Sequence, residues 1–336
     1  MGSGQARLNP TVAQSQQREV GGQAPTLYGL EQGEIQRLIQ EKKYPAYRAS
    51  QLLGWLYKKH IASWDEAKNL PVDFCRELSH RFELTSLTFA ELRESAEGES
   101  KKFLFKTYDG RFLESVLIVS PPHPSLSPSS AKGRIRLLCG GKGERIKVRG
   151  KRLTVCVSTQ IGCKIGCVFC ASGKGKFGRN LTAGEIVEQV ARIERQIGRR
   201  VSNVVFMGMG EPLDNFEATM KALKILQAPW GFGLGARRIT VSTSGITPKI
   251  VEFVKRSEGR VRLSVSLHSS SEAKRTELVP INKKYNLAEL VRTLNEIHGK
   301  LKREITFEYT LIAGVNDSRQ EAEGDARGLR ARLGAL

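Results

Sequence analysis

The sequence is poor in everything that would place a chain across a membrane. No apolar run approaches the ~18–20 residues of a spanning helix, and no basic amphipathic segment carries a strong aromatic face. A soluble protein is expected, with no membrane among its partners. Cysteine is scarce, six in 336 residues, with Cys163, Cys167 and Cys170 crowded together and Cys75, Cys139 and Cys156 apart. That spacing is wrong for a disulfide framework and points to a reducing compartment, the cytoplasm. Residues 1–26, rich in Gly, Ser, Gln and Pro, lack the apolar core of a secretory signal and read as a disordered lead. Arg7 and Arg18 against a lone Glu19 would suit an organelle transit peptide, although Ser is sparse there and amphipathic pattern weak. Negative charge is also short: 34 Asp and Glu face 54 Lys and Arg, a net charge of +20. Such an excess implies a polyanionic partner, nucleic acid before a membrane surface.

Length allows one large domain and a smaller one. Residues 27–100 are expected to form a small helical domain, with a helical pattern from Glu31 to Phe82: Ile35, Leu38 and Ile39 recur at helical spacing, as do Leu52, Leu53, Leu56 and Tyr57, and Ser63 to Glu66 reads as a capping box that opens another helix. Residues 101–119 read as a β-hairpin around Asp109-Gly110, a dipeptide that favours a two-residue type I′ turn. Residues 120–152 form a Pro/Ser-rich and basic insertion, with nine Lys/Arg and one Glu between Lys132 and Arg152. From 153 to 336 strands and helices alternate, beginning with a strand at Leu153–Ser158 and a helix at Thr182–Ile197 behind the capping box Thr182-Ala-Gly-Glu185. Five strands and five helices follow one another, the pattern of parallel βα units, and a helix over Arg319–Leu333 closes the count.

Cys163-Lys-Ile-Gly-Cys167-Val-Phe-Cys170 directly follows a strand, where parallel βα folds place their active-site loops. A structural zinc ion normally takes four ligands, and no histidine or fourth cysteine lies close in sequence, so zinc would need a distant partner. Three inert cysteines would fit the bland alternative, but clustered free thiols are reactive. A 4Fe–4S cluster on three cysteines leaves one iron with an open position for a substrate or cofactor.

The Cys-x3-Cys-x2-Cys spacing resembles that of the radical SAM superfamily, in which the open iron chelates S-adenosylmethionine (SAM) and a 5′-deoxyadenosyl radical is released. Asn203 to Pro212, a Gly-rich turn ending in Glu-Pro, is similar to the superfamily's segment at the methionine end of SAM; Gly208 and Gly210 alone would be weak signals. Within the superfamily the chain resembles the RlmN/Cfr family of RNA adenine methyltransferases from about Leu27 to Val315. The resemblance rests on Tyr47-Arg48-Ala49-Ser50-Gln51 with Trp55 and Tyr57, Leu113-Glu-Ser-Val116, Cys156-Val-Ser, Gly231-Phe-Gly-Leu234, Arg237-Arg238, Ser242-Thr-Ser-Gly245, Ser266-Leu-His268, and Val279 to Tyr285. It implies an α/β fold: a partial (β/α)6 radical SAM barrel behind a small helical RNA-binding-like domain and hairpin. It also implies methylation of adenosine C2 in 23S rRNA and tRNA by a methyl-cysteine relay, with C8 as the Cfr-type alternative. Carried over residue by residue, Cys163, Cys167 and Cys170 hold the cluster; Gly210, Glu211, Ser242, Ser266, Leu267 and His268 bind SAM; Glu114 handles a proton; and Cys156 resolves an enzyme–RNA adduct. Taken alone, Ser242 and Ser266 would be helix caps, His268 and Cys156 core residues, and Glu114 a solvated strand residue. Alternation puts Thr154, Cys156 and Ser158 on one side of their strand. An electron donor such as flavodoxin or ferredoxin and a monomeric state are also implied.

The sequence departs from the family in one respect that bears on chemistry. The family's relay uses a further cysteine near the carboxyl terminus, and no cysteine follows Cys170. The pattern also lacks a sixth strand and a nearby SAM-contacting asparagine. A chain cut short by its gene model is the reading preferred here; a deliberately shortened chain and a chain that no longer methylates are the others. A noncatalytic RNA- or ribosome-binding derivative is thus the rival function, while a glycyl-radical activating enzyme is disfavoured by the helical module. On either reading, affinity for structured RNA should fall with salt, with a log–log slope of about −0.7 to −0.9 per neutralised phosphate. Deleting Pro121–Gly150 is expected to flatten that slope; a slope unchanged by the deletion would assign binding to the remaining basic surface.

Overall fold

The computed structural model describes residues 26–120, 152–302 and 304–319. Residues 1–25 of the lead, 121–151 of the basic insertion with Cys139, and all of the expected last helix but Arg319 lie outside the described residues. Chain order runs α1 (Gln32–Glu41), α2 (Tyr47–Gly54), α3 (Val72–Ser79), β1 (Leu87–Glu94), β2 (Ser100–Thr107), β3 (Phe112–Ser120), β4 (Arg152–Cys156), β5 (Gln160–Ile161), α4 (Ala171–Lys174), β6 (Arg179–Asn180), α5 (Ala183–Ile197) and β7 (Asn203–Phe206). It continues with α6 (Phe216–Gln227), β8 (Ile239–Thr243), α7 (Thr247–Arg256), β9 (Arg262–Ser266), α8 (Glu272–Leu278), α9 (Leu287–His298) and β10 (Thr306–Glu308). None of these helices is long and apolar enough to cross a membrane.

Eight strands form one sheet in the order β1-β2-β3-β4-β7-β8-β9-β10. The first three ladders are antiparallel and the remaining four parallel. The fold is thus mixed α/β around a central parallel sheet, with antiparallel strands extending the sheet on one side. One continuous core runs from Leu27 and Ile35 in the helical segment through Phe103 and Phe105 of β2 to Val241 and Leu294. Parallel strands covered by helices are fed by apolar β-branched residues, as in Val155, Val204 and Val241, each 0% exposed.

Local expectations and structure differ at three points. β1 lies within residues 27–100, expected as a helical domain, and beyond the helical pattern that ends at Phe82; only Leu87 of its eight residues is buried, so its alternation carries no hydrophobic signal. The capping box at Ser63 opens a single 3-10 turn, Trp64–Glu66. The hairpin turn is not type I′: Asp109 keeps a negative φ while Gly110 lies at +77°, and the Gly110 N–H donates to the Thr107 carbonyl at 3.0 Å. Thr107 and Arg111 are joined by an N–H···O bond of 2.8 Å, so three residues, Tyr108 to Gly110, make the loop, with glycine in the left-handed position.

Helix α5 positions the site. Its capping box forms as expected, with the Glu185 N–H donating to Thr182 Oγ1 at 3.1 Å and the Thr182 N–H to the Glu185 carboxylate at 2.9 Å. Gly198 ends it at φ +64°. Beyond its apolar residues, α5 buries Glu185, Glu188, Gln189 and Glu194 at 0–3% exposure, and each clasps a different segment. Glu185 is gripped by Arg179 at 2.7 and 2.8 Å, and the same guanidinium holds Asp109 of the hairpin loop at 3.0 and 3.2 Å. Arg179 keeps the Asp109 carboxyl down at about 2. Glu188 accepts from the Ser86 and Leu87 amides at the start of β1. Gln189 accepts from Ser115 of β3 and the Ser158 amide. Glu194 accepts from the Val201 amide and pairs with His60 and Arg200. Arg179→Ala leaves a buried carboxylate without its cation, so it should lower stability by about 3–5 kcal/mol in chemical denaturation; a midpoint equal to that of the unaltered chain would show that the bridge contributes nothing.

Candidate active site

The cysteine loop leaves β4 and is closed at its stem by the two-residue ladder of β5 and β6. Gly162, at φ +75°, makes the closure possible: a Cβ there would meet the Lys176 carbonyl oxygen at 2.5 Å. Gly173 lies against the Cys167 backbone, where a Cβ would sit 2.9 Å from the Cys167 oxygen. Cys163, Cys167 and Cys170 are all half-buried. Cys163 and Cys167 pack with Phe169 on a small apolar cluster of Ile165, Leu278 and Val279. Burial and neighbouring thiols push the Cys167 thiol up to about 12, and burial raises that of Cys163.

These residues suit a cluster better than one ion. Among the described residues no three His, Cys, Asp or Glu side chains converge as a single metal ion requires, whereas a 4Fe–4S cluster spreads its thiolates over separate irons. A buried cation stands close by. Arg275, 0% exposed, donates through Nη2 to the carbonyls of Ser244 and Ser266 at 2.7 and 3.2 Å and through Nη1 to Asn282. Its Nε has no hydrogen-bond partner among the described residues, and its charge favours the Cys167 thiolate. Anionic thiolates beside a buried guanidinium, whose charge Glu272 also supports, are an electrostatic match.

The other expected residues gather along the carboxyl ends of β7, β8 and β9. Gly210, at φ +99°, passes so close to Gln160 that a Cβ would lie 2.5 Å from that side chain. Glu211 is buried; its carboxylate accepts from the Ser244 amide and hydroxyl, both at 2.7 Å, and from the Leu213 amide at 3.0 Å. Burial nevertheless raises its pKa. His268 has the left-handed φ of +61°, and its ring sits edge-on to Phe169 of the cysteine loop, centroids 4.5 Å apart. Nδ1 accepts the Thr310 N–H at 3.0 Å, which leaves the ring proton on Nε2. Burial, then Arg275, depresses its pKa to about 4, so the ring is neutral at neutral pH. Leu267 is buried, with its amide on the Glu308 carbonyl at 2.9 Å. Ser242 and Ser266 both donate to the Glu308 carboxylate.

Cys156 and Glu114 lie further along the same sheet face. Cys156 is opposite Val116 in the β3–β4 ladder, and Glu114 follows two residues away on β3, the spacing that keeps a common face. Burial, chiefly, pushes the Cys156 thiol up to about 11. Glu114 is half-exposed and pairs with Lys102 at 3.2 Å. Sequence reading missed Glu308 and Arg275. An acid at the end of the short strand Thr306–Glu308 was a signal for the first; Arg275, next to Lys274 on the charged helix α8, reads as a solvated residue and gave none.

The family model of the radical SAM superfamily matches residues 157–324, which begins at the residue after Cys156 and includes the cysteine loop. A crystal structure of a radical SAM methyltransferase from Sphaerobacter thermophilus superposes with a TM-score of 0.77 at 40% identity, covering 92% of this chain and 83% of that one. The probable dual-specificity RNA methyltransferase RlmN of Bacillus subtilis is 38% identical over 321 residues, 95% of this chain and 79% of that protein. RlmN 3 of Opitutus terrae is 40% identical over 312 residues, 89% of this chain and 76% of that one. The chain belongs to the RlmN family of the radical SAM superfamily. Members of that superfamily use a 4Fe–4S cluster and SAM.

Replacing Cys167 with Ala should abolish iron and sulfide incorporation during anaerobic reconstitution. Metal and sulfide contents equal to those of the unaltered chain would remove Cys167 from the ligand set.

Proposed function

We propose that this chain is a SAM-dependent RNA methyltransferase that acts on C2 of adenosine. The observation that carries the reading is the meeting, at one edge of the parallel sheet, of a three-cysteine loop with Glu211, Ser242, Ser266 and His268, in a chain of the RlmN family. Cys163, Cys167 and Cys170 would hold the cluster. When bound, cluster and SAM together supply one-electron chemistry that makes a carbon radical from SAM. Gly210 lets the turn after β7 pass against Gln160, and Glu211 presents a carboxylate fixed from three sides. Phe169, Ile165 and Leu278 give the loop an apolar side. Neutral His268, its ring fixed by Thr310 and Phe169, offers Nε2–H as a donor. Cys156 keeps its proton at neutral pH because burial disfavours the thiolate, so it serves as a thiol until a base or electrophile meets it. Glu114, half-exposed on the same face and paired with Lys102, is placed to accept or return a proton.

The substrate class rests on the RNA methyltransferase relatives and on the net charge of +20. 23S rRNA and tRNA are the proposed substrates, a small redox protein such as flavodoxin or ferredoxin the electron source, a monomer the working form and the cytoplasm the site of action. Domain boundaries at 27–100, 101–119 and 153–336 belong to the same proposal.

Anaerobic incubation with reductant and SAM tests the reading. 5′-Deoxyadenosine is the expected product, lost in Cys167→Ala; its absence from the cluster-loaded unaltered chain would sink the radical SAM assignment of this site. Mass spectrometry of RNA digests then reports the target atom, 2-methyladenosine supporting the proposal and 8-methyladenosine moving it to the Cfr branch. Because no cysteine follows Cys170, 2-methyladenosine made by these residues would show that a carrier thiol beyond Cys170 is dispensable.

A further inference from the structure

In a parallel sheet every strand starts at one rim and ends at the other. The candidate site follows the carboxyl ends, so the amino ends form the rim on the far side from it. Strands β7, β8 and β9 are four to five residues long, which puts roughly 15 Å between the two rims. Charge is divided unequally between them. The loops leaving β7, β8 and β9, residues 207–215, 244–246 and 267–271, contain Glu211 and Asp214 and no Lys or Arg. The segments entering β7, β8, β9 and β10, residues 198–202, 235–239, 257–262 and 299–305, contain nine Lys or Arg against two Glu.

The sheet sets these cations side by side. Thr240 and Arg262 are ladder partners, so Arg238 and Arg260 stand level two residues further out on neighbouring strands. The Lys302 N–H donates to the Gly259 carbonyl at 3.0 Å, which brings the segment of Lys300 and Lys302 beside Arg260. At the other end the Ser202 N–H donates to the Leu153 carbonyl at 2.8 Å, which joins Arg152 to the segment of Arg199 and Arg200. With adjacent strands about 4.8 Å apart, the row runs along five strand starts over about 20 Å. Arg200 and Arg260 are paired with Glu194 and Glu258 at 2.8 and 2.6 Å. Arg152, Arg199, Arg238, Arg262, Lys300 and Lys302 are exposed and have no acid partner among the described residues.

The carboxyl ends of helices attract cations, which accounts for Arg199 and Lys300 after α5 and α9. It does not account for Arg152, Arg238 and Arg262, which stand at the starts of strands. Solubility is served by both signs interspersed rather than by one rim of a single sign. An extended row of unpaired cations fits a regularly charged polymer.

We propose that this rim is a second RNA-binding surface, which holds the phosphate backbone of a stretch of RNA other than the one that presents its adenosine at the reaction site. The proposal rests on the RNA methyltransferase reading for the identity of the polymer. Anchoring is thereby separated from chemistry: the loops leaving β7, β8 and β9 stay free of phosphate-binding side chains, and the far rim supplies them.

The test is the salt dependence of binding of unfractionated transfer RNA to the full chain. Fluorescence anisotropy reads it from about 0.1 M salt upwards, where charges more than about 10 Å from a phosphate are screened. The variant Arg238→Gln/Arg262→Gln/Lys302→Gln should weaken binding about tenfold or more at about 0.1 M salt and lower the log–log slope by about 2, because each lost phosphate contact removes about 0.7–0.9. An independent variant, Arg199→Gln/Arg237→Gln/Lys300→Gln, should act in the same direction, and both should match the unaltered chain in iron content after reconstitution. Affinity and slope unchanged in both variants would overturn the proposal. So would an unchanged RNA slope together with lost binding to vesicles of phosphatidylserine and phosphatidylcholine, which would give the rim to a membrane surface. A lowered slope in a chain that forms no methylated adenosine would uphold the rim and count against the proposed function alone, whereas no RNA binding by the unaltered chain would sink both.

Discussion

The arrangement depends on one helix that buries acid. Most helices covering a parallel sheet hide an apolar stripe and solvate the rest. α5 hides Glu185, Glu188, Gln189 and Glu194 as well, and each holds a different neighbouring segment. Glu185 secures the return of the cysteine loop through Arg179, Glu188 the entry to β1, Gln189 the exit of β4, and Glu194 the turn at His60. Burying a carboxylate is costly unless every lone pair is met, so these groups enforce one relative placement of loop, hairpin and helical segment. Apolar packing alone would tolerate small slips among them.

A second polar system performs the same task at the strand ends. Glu211 holds Ser244, the Ser244 carbonyl meets Arg275, Arg275 reaches Ser266, and Ser266 and Ser242 share Glu308. The chain of contacts links the segments after β7, β8 and β9 with β10, so side chains from four strands are set by one connected network. Removing any member strands its partners, and effects along the network should be non-additive.

How much of this could be read from sequence follows from where its signals arise. The cysteine loop was legible because three thiols so close have few uses, and α5 was legible in its start, since a capping box is a local motif. The parallel strands stood out through runs of Val and Ile. The polarity of α5 misled: Glu188 and Glu194 look like a solvated face until β1 and His60 are brought over them, and those partners lie 102 and 134 residues away. β1 hid because an exposed edge strand needs no alternation. Arg275 and Glu308 escaped for the same reason as the buried acids, since their partners are backbone carbonyls and hydroxyls that only the folded sheet assembles. Cys156 and Glu114 were named by resemblance; that they share a face comes from the β3–β4 register.

The β3–β4 ladder has one more consequence. Its last pair joins Ser120 to Arg152, so the two ends of the intervening segment are already stapled side by side by the sheet. The cost of closing a loop between fixed ends rises only as the logarithm of its length, about 0.6 kcal/mol per doubling. This position is therefore a natural graft point: sequence can be gained or lost there without disturbing the register of Glu114 and Cys156. A lineage could change what it appends beside the reaction face, and how positively charged that appendage is, while the catalytic geometry is inherited intact.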